Sequence, residues 1–464
     1  MQTKHMRLTS ALSKLLVFFF FFISIFPSFR LLTVGSQKMR SPFEIAITIL
    51  PEIVLAAILI ISAVIARKEG LLQKKSLGTF DKVLIGFIAS NVILGACLSQ
   101  DLLISAYGFR ITYLPIFFYF VARVYVVYDT RILNGVLRNI FLWFVYFAII
   151  GLVMYFLFHN FFSYLVSMTG YQEGEYFIKR MGSLVLTPVL FGTIMSFSLI
   201  YFYYSALSKP SRLNYTCIGI LWLCLIMSVS RGAIISALIS LVILTLLFKN
   251  WRSTIIAGSV MAVITGLFML TLTFSSLPVQ GNVFSRSQYT SDTTSAGNNK
   301  NSTGKYSSGL LSTWIVQSSI ETVSMKYGVS RVELWKLSFE SFKARPWGYG
   351  LGKAGASAVR FMKSSNAEVA VATSDGWYLK IANETGIWGI VSFGALVCFY
   401  CMRTIGFIRN HKGTFVSFVF AIFIMVLIQN IVSNVLDFYP FICLFWLLIG
   451  ISENYMNKAT PEHG

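Results

Sequence analysis

Four arginines occupy positions where chemistry is expected. Arg110, Arg180 and Arg231 each lie at the edge of a long apolar run, and Arg331 lies in the one long polar stretch between runs. A guanidinium beside hydrocarbon is costly, so it usually has a partner or a task. It stays charged, and its planar fork of donors matches phosphate and carboxylate oxygens. Four such groups on one face would hold an anionic, phosphorylated ligand at a membrane surface. Alternatively, each arginine snorkels from a helix end to lipid headgroups.

The elements that must present these arginines are membrane helices. The chain has 464 residues, 56% hydrophobic and only 12% charged, with a mean hydropathy of +0.71. That composition excludes a soluble domain of this length. A helix needs roughly 20 apolar residues to cross a bilayer, and about twelve such spans are expected. They fall near 14–34, 43–66, 83–99, 102–122, 140–159, 183–206, 214–229, 232–248, 254–274, 377–402, 414–434 and 437–455. The predicted fold is therefore an all-α polytopic membrane protein with one large external loop. Three regions follow: helices one to nine in 1–274, the loop in 275–375, and helices ten to twelve in 376–464. The run Leu15 to Phe26 resembles a signal-peptide core, but no small-residue cleavage site follows it, so it is read as a retained first helix.

Basic residues set the orientation. Arg67, Lys68, Lys74, Lys75, Lys82, Arg123, Arg131, Arg138, Lys209, Arg212, Lys249, Arg252, Arg403, Arg409 and Lys412 all fall on one side if the spans alternate, and Arg30, Lys38 and Arg40 on the other. The first side is predicted to be cytoplasmic, with both termini there. Arg110, Arg180, Arg231 and the long loop then face outward. The net charge of +20 is thus carried mostly by short loops between spans and does not point to nucleic acid. The six cysteines lie in or beside apolar runs without a CxxC pair or a nearby His, and behave as small hydrophobes.

The long loop has two halves. Ser285 to Ser308 is rich in Ser, Thr, Asn and Gly and reads as mobile. Ser330 to Ala344 mixes Val332, Trp335, Leu337, Phe339 and Phe342 with Arg331, Glu333, Lys336, Glu340 and Lys343. It predicts an amphipathic helix over about 330–344 that lies on the outer surface or caps the bundle. Pro346 stops it, and the glycines at 348, 350 and 352 form a loop whose backbone can approach a ligand closely. A nucleotide site would need a βαβ unit, which is absent.

Several short motifs now line up: Gly108-Phe109-Arg110 with Pro115; Arg180 with Gly182, Ser183 and Pro188; Ser230-Arg231-Gly232; Ser330-Arg331-x-x-Leu334-Trp335; Pro346 to Gly352; Ser374 to Leu379; and Glu384-Thr385-Gly386-x-x-Gly389. In order and spacing the chain resembles the O-antigen ligase and polymerase superfamily, the WaaL-like and Wzy-like membrane glycosyltransferases. The resemblance implies a protein of the bacterial cytoplasmic membrane that transfers glycan from undecaprenyl pyrophosphate. The donor is already activated, so no cofactor is implied. Arg110, Arg180 and Arg231 would stabilise the departing pyrophosphate. Arg331 would bind phosphate or orient the acceptor sugar. Asp375, then Glu384, would serve as base for the attacking hydroxyl. Tyr349, Trp377 and Tyr378 would stack on sugar faces. No ligand cluster suggests a metal. Implied partners are the lipid-linked oligosaccharide, membrane lipid and, as a candidate, a Wzz-like chain-length co-polymerase.

Each role has a structural counterpart. Asp375 suits an N-cap of the next helix, Glu384 suits an ion pair with a neighbouring span, and the aromatics suit an interfacial belt. The ligase branch carries a His just before the Tyr-Leu of the re-entry segment, where this chain has Asp375-Gly376; its four histidines lie elsewhere. A polymerase is therefore favoured over a ligase. A transporter or flippase for a charged lipid-linked glycan is the third reading. It calls for internal repeats and midplane charges, neither of which is evident.

Overall fold

The computed structural model describes residues 11–26, 42–68, 78–125, 130–158, 181–185, 187–274, 323–324, 329–355, 358 and 376–459. Among these, helices account for nearly everything. They are α1 (Ala11–Phe26), α2 (Pro42–Lys68), α3 (Thr79–Ser99), α4 (Leu102–Thr112), α5 (Phe118–Tyr125), α6 (Thr130–Phe156), α7 (Pro188–Ser208), α8 (Arg212–Met227), α9 (Arg231–Phe248), α10 (Trp251–Phe274), α11 (Arg331–Ala344), α12 (Trp377–Asn410), α13 (Phe415–Val432) and α14 (Tyr439–Ala459). The two-residue strands β1 (Val323–Ser324) and β2 (Val329–Ser330) pair antiparallel just before α11.

Seven helices are long and apolar enough to cross a membrane, or eight if the pair α4 and α5, bent by 43°, forms one span. A helix lies at each of the expected spans, but length limits the count. α8, with 16 residues, reaches about 24 Å, short of a hydrocarbon core of about 30 Å. α1 and the Leu50–Ile65 part of α2 are also short. The bend after α4 coincides with Pro115 in the 3-10 turn Leu114–Phe117, where the missing N–H interrupts the helical ladder.

α7 is buried around nearly its whole circumference, as a helix apolar on all sides should be. It packs against α6, α8, α9 and α13. Small residues let these backbones approach: a Cβ on Gly192 would meet Ser228 and Ser230 at 2.8 Å. Hydroxyls then bridge the helices. Ser196 donates to the Ala233 carbonyl at 3.1 Å, and Ser240 to that of Ala421 at 2.9 Å. Thr193 donates to Gln429, whose amide donates to Ser236, each at 2.9 Å. With little hydrophobic force between helices in lipid, such bonds and close contacts are what fix their positions.

α12 is two helices joined at Gly386, whose φ of 67° and ψ of −152° break the ladder. A broken membrane helix needs other partners for its freed backbone groups. The loop after α11 supplies them. Tyr349 N–H donates to the Asn383 carbonyl at 2.7 Å and Gly350 N–H to that of Glu384 at 2.9 Å, while Ile387 N–H donates to the Pro346 carbonyl at 2.9 Å. Leu351 N–H reaches the Gly95 carbonyl of α3 at 2.8 Å. The glycines expected to admit a ligand therefore admit protein backbone. Gly350, at φ 109°, has no room for a side chain, because a Cβ would lie 2.3 Å from the Ser99 backbone.

Gly350→Ala should lower stability by about 2 kcal/mol from backbone strain and overpacking. Gly394→Ala, in α12 with nothing within 4 Å of the added methyl, should leave it unchanged. Thermal unfolding of the full chain in nanodiscs distinguishes them, and equal melting temperatures would refute the seated loop.

Candidate functional site

Five segments converge at one end of the bundle. α9 starts here, with Ser230 at its N-cap position after Val229 in a left-handed conformation (φ 50°). Its Gly232 lies against Val432, at the end of α13; a Cβ there would be 2.7 Å from the valine methyl. α12 also starts here: Gly376 N–H donates to the Asn434 side chain at 3.2 Å, and its α-carbon faces the Ile431 carbonyl and the Trp335 indole. Trp335 sits on α11 one turn after Arg331. Met181 N–H donates to the Met227 carbonyl at 3.0 Å, tying the segment before α7 to the turn before α9.

The sequence-predicted residues divide accordingly. Arg231 opens α9 and the backbone of Arg331 opens α11, both at this end; the Arg331 side chain lies outside the described residues, as do Arg180 and Asp375. Tyr349 is held in the loop; its hydroxyl donates to the Ser341 carbonyl at 3.2 Å, and Arg345 lies over its ring. Tyr378 donates to the Leu427 carbonyl at 2.8 Å, and Trp377 is buried against Phe393. Trp347 of the loop, by contrast, is 70% exposed. Arg110 is already engaged: its guanidinium pairs with Glu52 of α2, Nε to Oε1 at 2.8 Å.

Glu384 is deeply buried, 1% exposed. Its carboxylate accepts N–H bonds from Gly352, at 3.1 Å, and Ala354. One turn earlier on α12, Lys380 is equally buried. Its ammonium donates to Asp437 Oδ1 and to the Thr112 hydroxyl of α4, both at 2.7 Å, and stands 4.0 Å from Glu384 Oε2. Lys380, Asp437 and Thr112 were not picked out in the sequence. The Lys-x-x-x-Glu spacing in an apolar run was the available signal, because i and i+4 share a helix face. Asp437 between Leu436 and Phe438 gave a weaker one. Among the described residues no group of His, Cys, Asp and Glu could hold a metal.

A second charged network occupies the opposite end of the same helices. Arg123 pairs with Asp81 at 2.9 Å and Arg403 with Glu453 at 3.0 Å. Tyr119 donates to Asp81, and Arg123 and Arg403 donate to Asn454 and Asn457. It joins α3, α5, α12 and α14 without reaching the convergence of α9, α11 and α13.

Residues 216–394 match the Wzy_C family, described as O-antigen ligase. Its members are membrane enzymes of the O-antigen ligase or polymerase type that act on lipid-linked glycans. The match runs from α8 into α12 and includes Arg231, Arg331, the glycine loop, Lys380 and Glu384; Arg110, Thr112 and Asp437 lie outside it. No curated protein matches the chain.

The Arg110–Glu52 pair yields a stability test. Arg110→Ala should lower the melting temperature in nanodiscs, because the Glu52 carboxylate is left without its cation. Glu52→Gln in the same chain should recover most of the loss. Absence of that coupling would show that the pair is not structural.

Proposed function

We propose that this chain, with its Wzy_C domain at residues 216–394, is a polymerase. It joins undecaprenyl-pyrophosphate-linked oligosaccharide repeats into a surface polysaccharide at the outer face of the bacterial cytoplasmic membrane. The observation that carries the reading is the meeting of the α9, α11 and α12 N-termini around the end of α13. Helix N-termini present free N–H groups and a positive dipole, which favour a phosphate group.

In the reaction an acceptor sugar hydroxyl attacks the anomeric carbon of the donor. The bond from that carbon to the diphosphate oxygen breaks, and the departing diphosphate keeps the electron pair. The hydroxyl proton passes to a base. Arg231, with Arg180 and Arg331, is assigned to the diphosphate; charge stabilisation of this kind is worth about 3–4 kcal/mol per donor. Arg110 shares the phosphate only if it leaves Glu52. Asp375 is assigned as base, immediately before Gly376. Glu384, whose carboxylate is occupied by loop N–H groups, holds the site together and does not take the proton. Exposed Trp347 offers a sugar-stacking face alongside Tyr349 and Tyr378.

Both termini and the Asp81–Arg403 end lie in the cytoplasm in this reading, with the three shorter apolar helices and α14 completing twelve spans and the 275–375 loop outside. Basic residues such as Lys82, Lys209, Lys249 and Arg409 favour this orientation. The ligase reading lacks a His in the re-entry segment. A transporter would use midplane charges and repeated broken helices; α12 carries the marked Gly386 break.

Arg180→Ala, Arg231→Ala and Arg331→Ala should each preserve protein level and abolish long-chain glycan, leaving single-unit bands on a polysaccharide gel. Full activity in all three would remove the arginine site. Asp375→Asn can still cap a helix, so loss of chain elongation in this variant marks a base and retained elongation marks a cap. Glycan stranded on undecaprenyl pyrophosphate in a deletion strain would indicate a ligase instead.

A further inference from the structure

The charged cluster on the first half of α12 lies outside the proposed chemistry, yet it joins α4, the loop after α11 and the turn after α13. Lys380 has a polar end and an apolar stem, and both are used. Its ammonium donates to Asp437, in the turn between α13 and α14, and to Thr112 of α4. Its stem runs along the loop: a Cβ on Gly355 would lie 3.1 to 3.4 Å from three of its carbons. Glu384, one turn on, holds the same loop through Gly352 and Ala354. A few residues before Asp437, Leu436 N–H donates to Asn430 at 3.2 Å, and Asn434 accepts from Gly376.

We infer that Lys380 is a positioning residue, fixing the spacing between the 345–355 loop and the 433–438 turn across the first half of α12. The inference rests on the proposed function for its consequence in glycan transfer, but not for its geometry. A desolvated ammonium must keep its partners, because an unpaired charge at this depth is far costlier than a broken surface pair. Asp437 and Thr112 therefore cannot drift independently of α12. Among the described residues the buried Asp437 Oδ2 and Tyr113 hydroxyl have no hydrogen-bond partner, so at Asp437 it is the Lys380 ammonium that ties the turn to the cluster. Chemically, the lysine would keep Trp347 and the α12 N-terminus at a constant separation from the end of α13. A misplacement of about 1 Å at such a site can cost about 100-fold in turnover.

The test is a distance measurement between spin labels at Trp347→Cys and Ser433→Cys, in the full chain with its native cysteines replaced, in nanodiscs. With Lys380 present, a single narrow distance distribution is expected. Lys380→Met should lose that narrow peak. If this variant fails to fold because Asp437 is stranded, the paired Lys380→Met/Asp437→Leu variant removes both charges and should also lose it. Arg403→Met, which breaks an ion pair at the other end of α12, should keep it. A narrow peak retained in either Lys380 variant, or an equal broadening in Arg403→Met, overturns the inference. In a chain-elongation assay the paired variant should lose about 100-fold in kcat with little change in KM. Since the label distance is read without substrate, it stands whether or not the chain is a polymerase.

Discussion

The arrangement depends on one buried contact, the Lys380 ammonium between Asp437 and Thr112. Taking an ammonium and two carboxylates out of water costs several kcal/mol per ion after relaxation. The cost is offset only where the geometry supplies close partners, and here they come from four separate stretches of chain. α12 contributes Lys380 and Glu384, the connection into α14 contributes Asp437, and α4 contributes Thr112. The backbone of the 345–355 loop completes the set through its N–H groups on Glu384. Hydrogen bonds to the ammonium have strict distance requirements, so they set the position of α12 against Asp437 and Thr112.

The Gly386 break in α12 belongs to the same constraint. Breaking a membrane helix exposes carbonyls at Asn383 and Glu384 and the N–H of Ile387. The loop meets all three with its own backbone, and its glycines take left-handed conformations because protein atoms occupy the space of their side chains. Helix, break and loop are thus one unit. Trp347 stays exposed on that unit.

Much of this was legible in the sequence. Long apolar runs fixed the helical class, and a helix lies at each expected span. The amphipathic pattern before Pro346 gave α11, whose Leu334 and Ser338 face inward while Leu337 and Phe339 stay exposed. Ser230-Arg231-Gly232 marked the start of α9. What was not legible was partnership over distance. Lys380 and Thr112 are 268 residues apart, and Arg110 and Glu52 are 58 apart. Periodicity reports which face of a helix a residue occupies, not which helix faces it. Glycine spacing likewise announced a close backbone approach at 348–352, but not that the approaching group was α3, α4 and α12 and not a phosphate. Apolar runs mark where helices lie but not the length that caps leave them, as in α8 between Ser211 and Ser228, so seven or eight of the described helices pass as spans by length and composition.

The central claim is tested most directly by an experimental density map of the full chain in lipid nanodiscs. The account predicts Lys380 within hydrogen-bond distance of both Asp437 and Thr112, with the Gly352 N–H on the Glu384 carboxylate. A map in which the 345–355 loop stands away from α12, leaving Glu384 and Lys380 open to water, would contradict it.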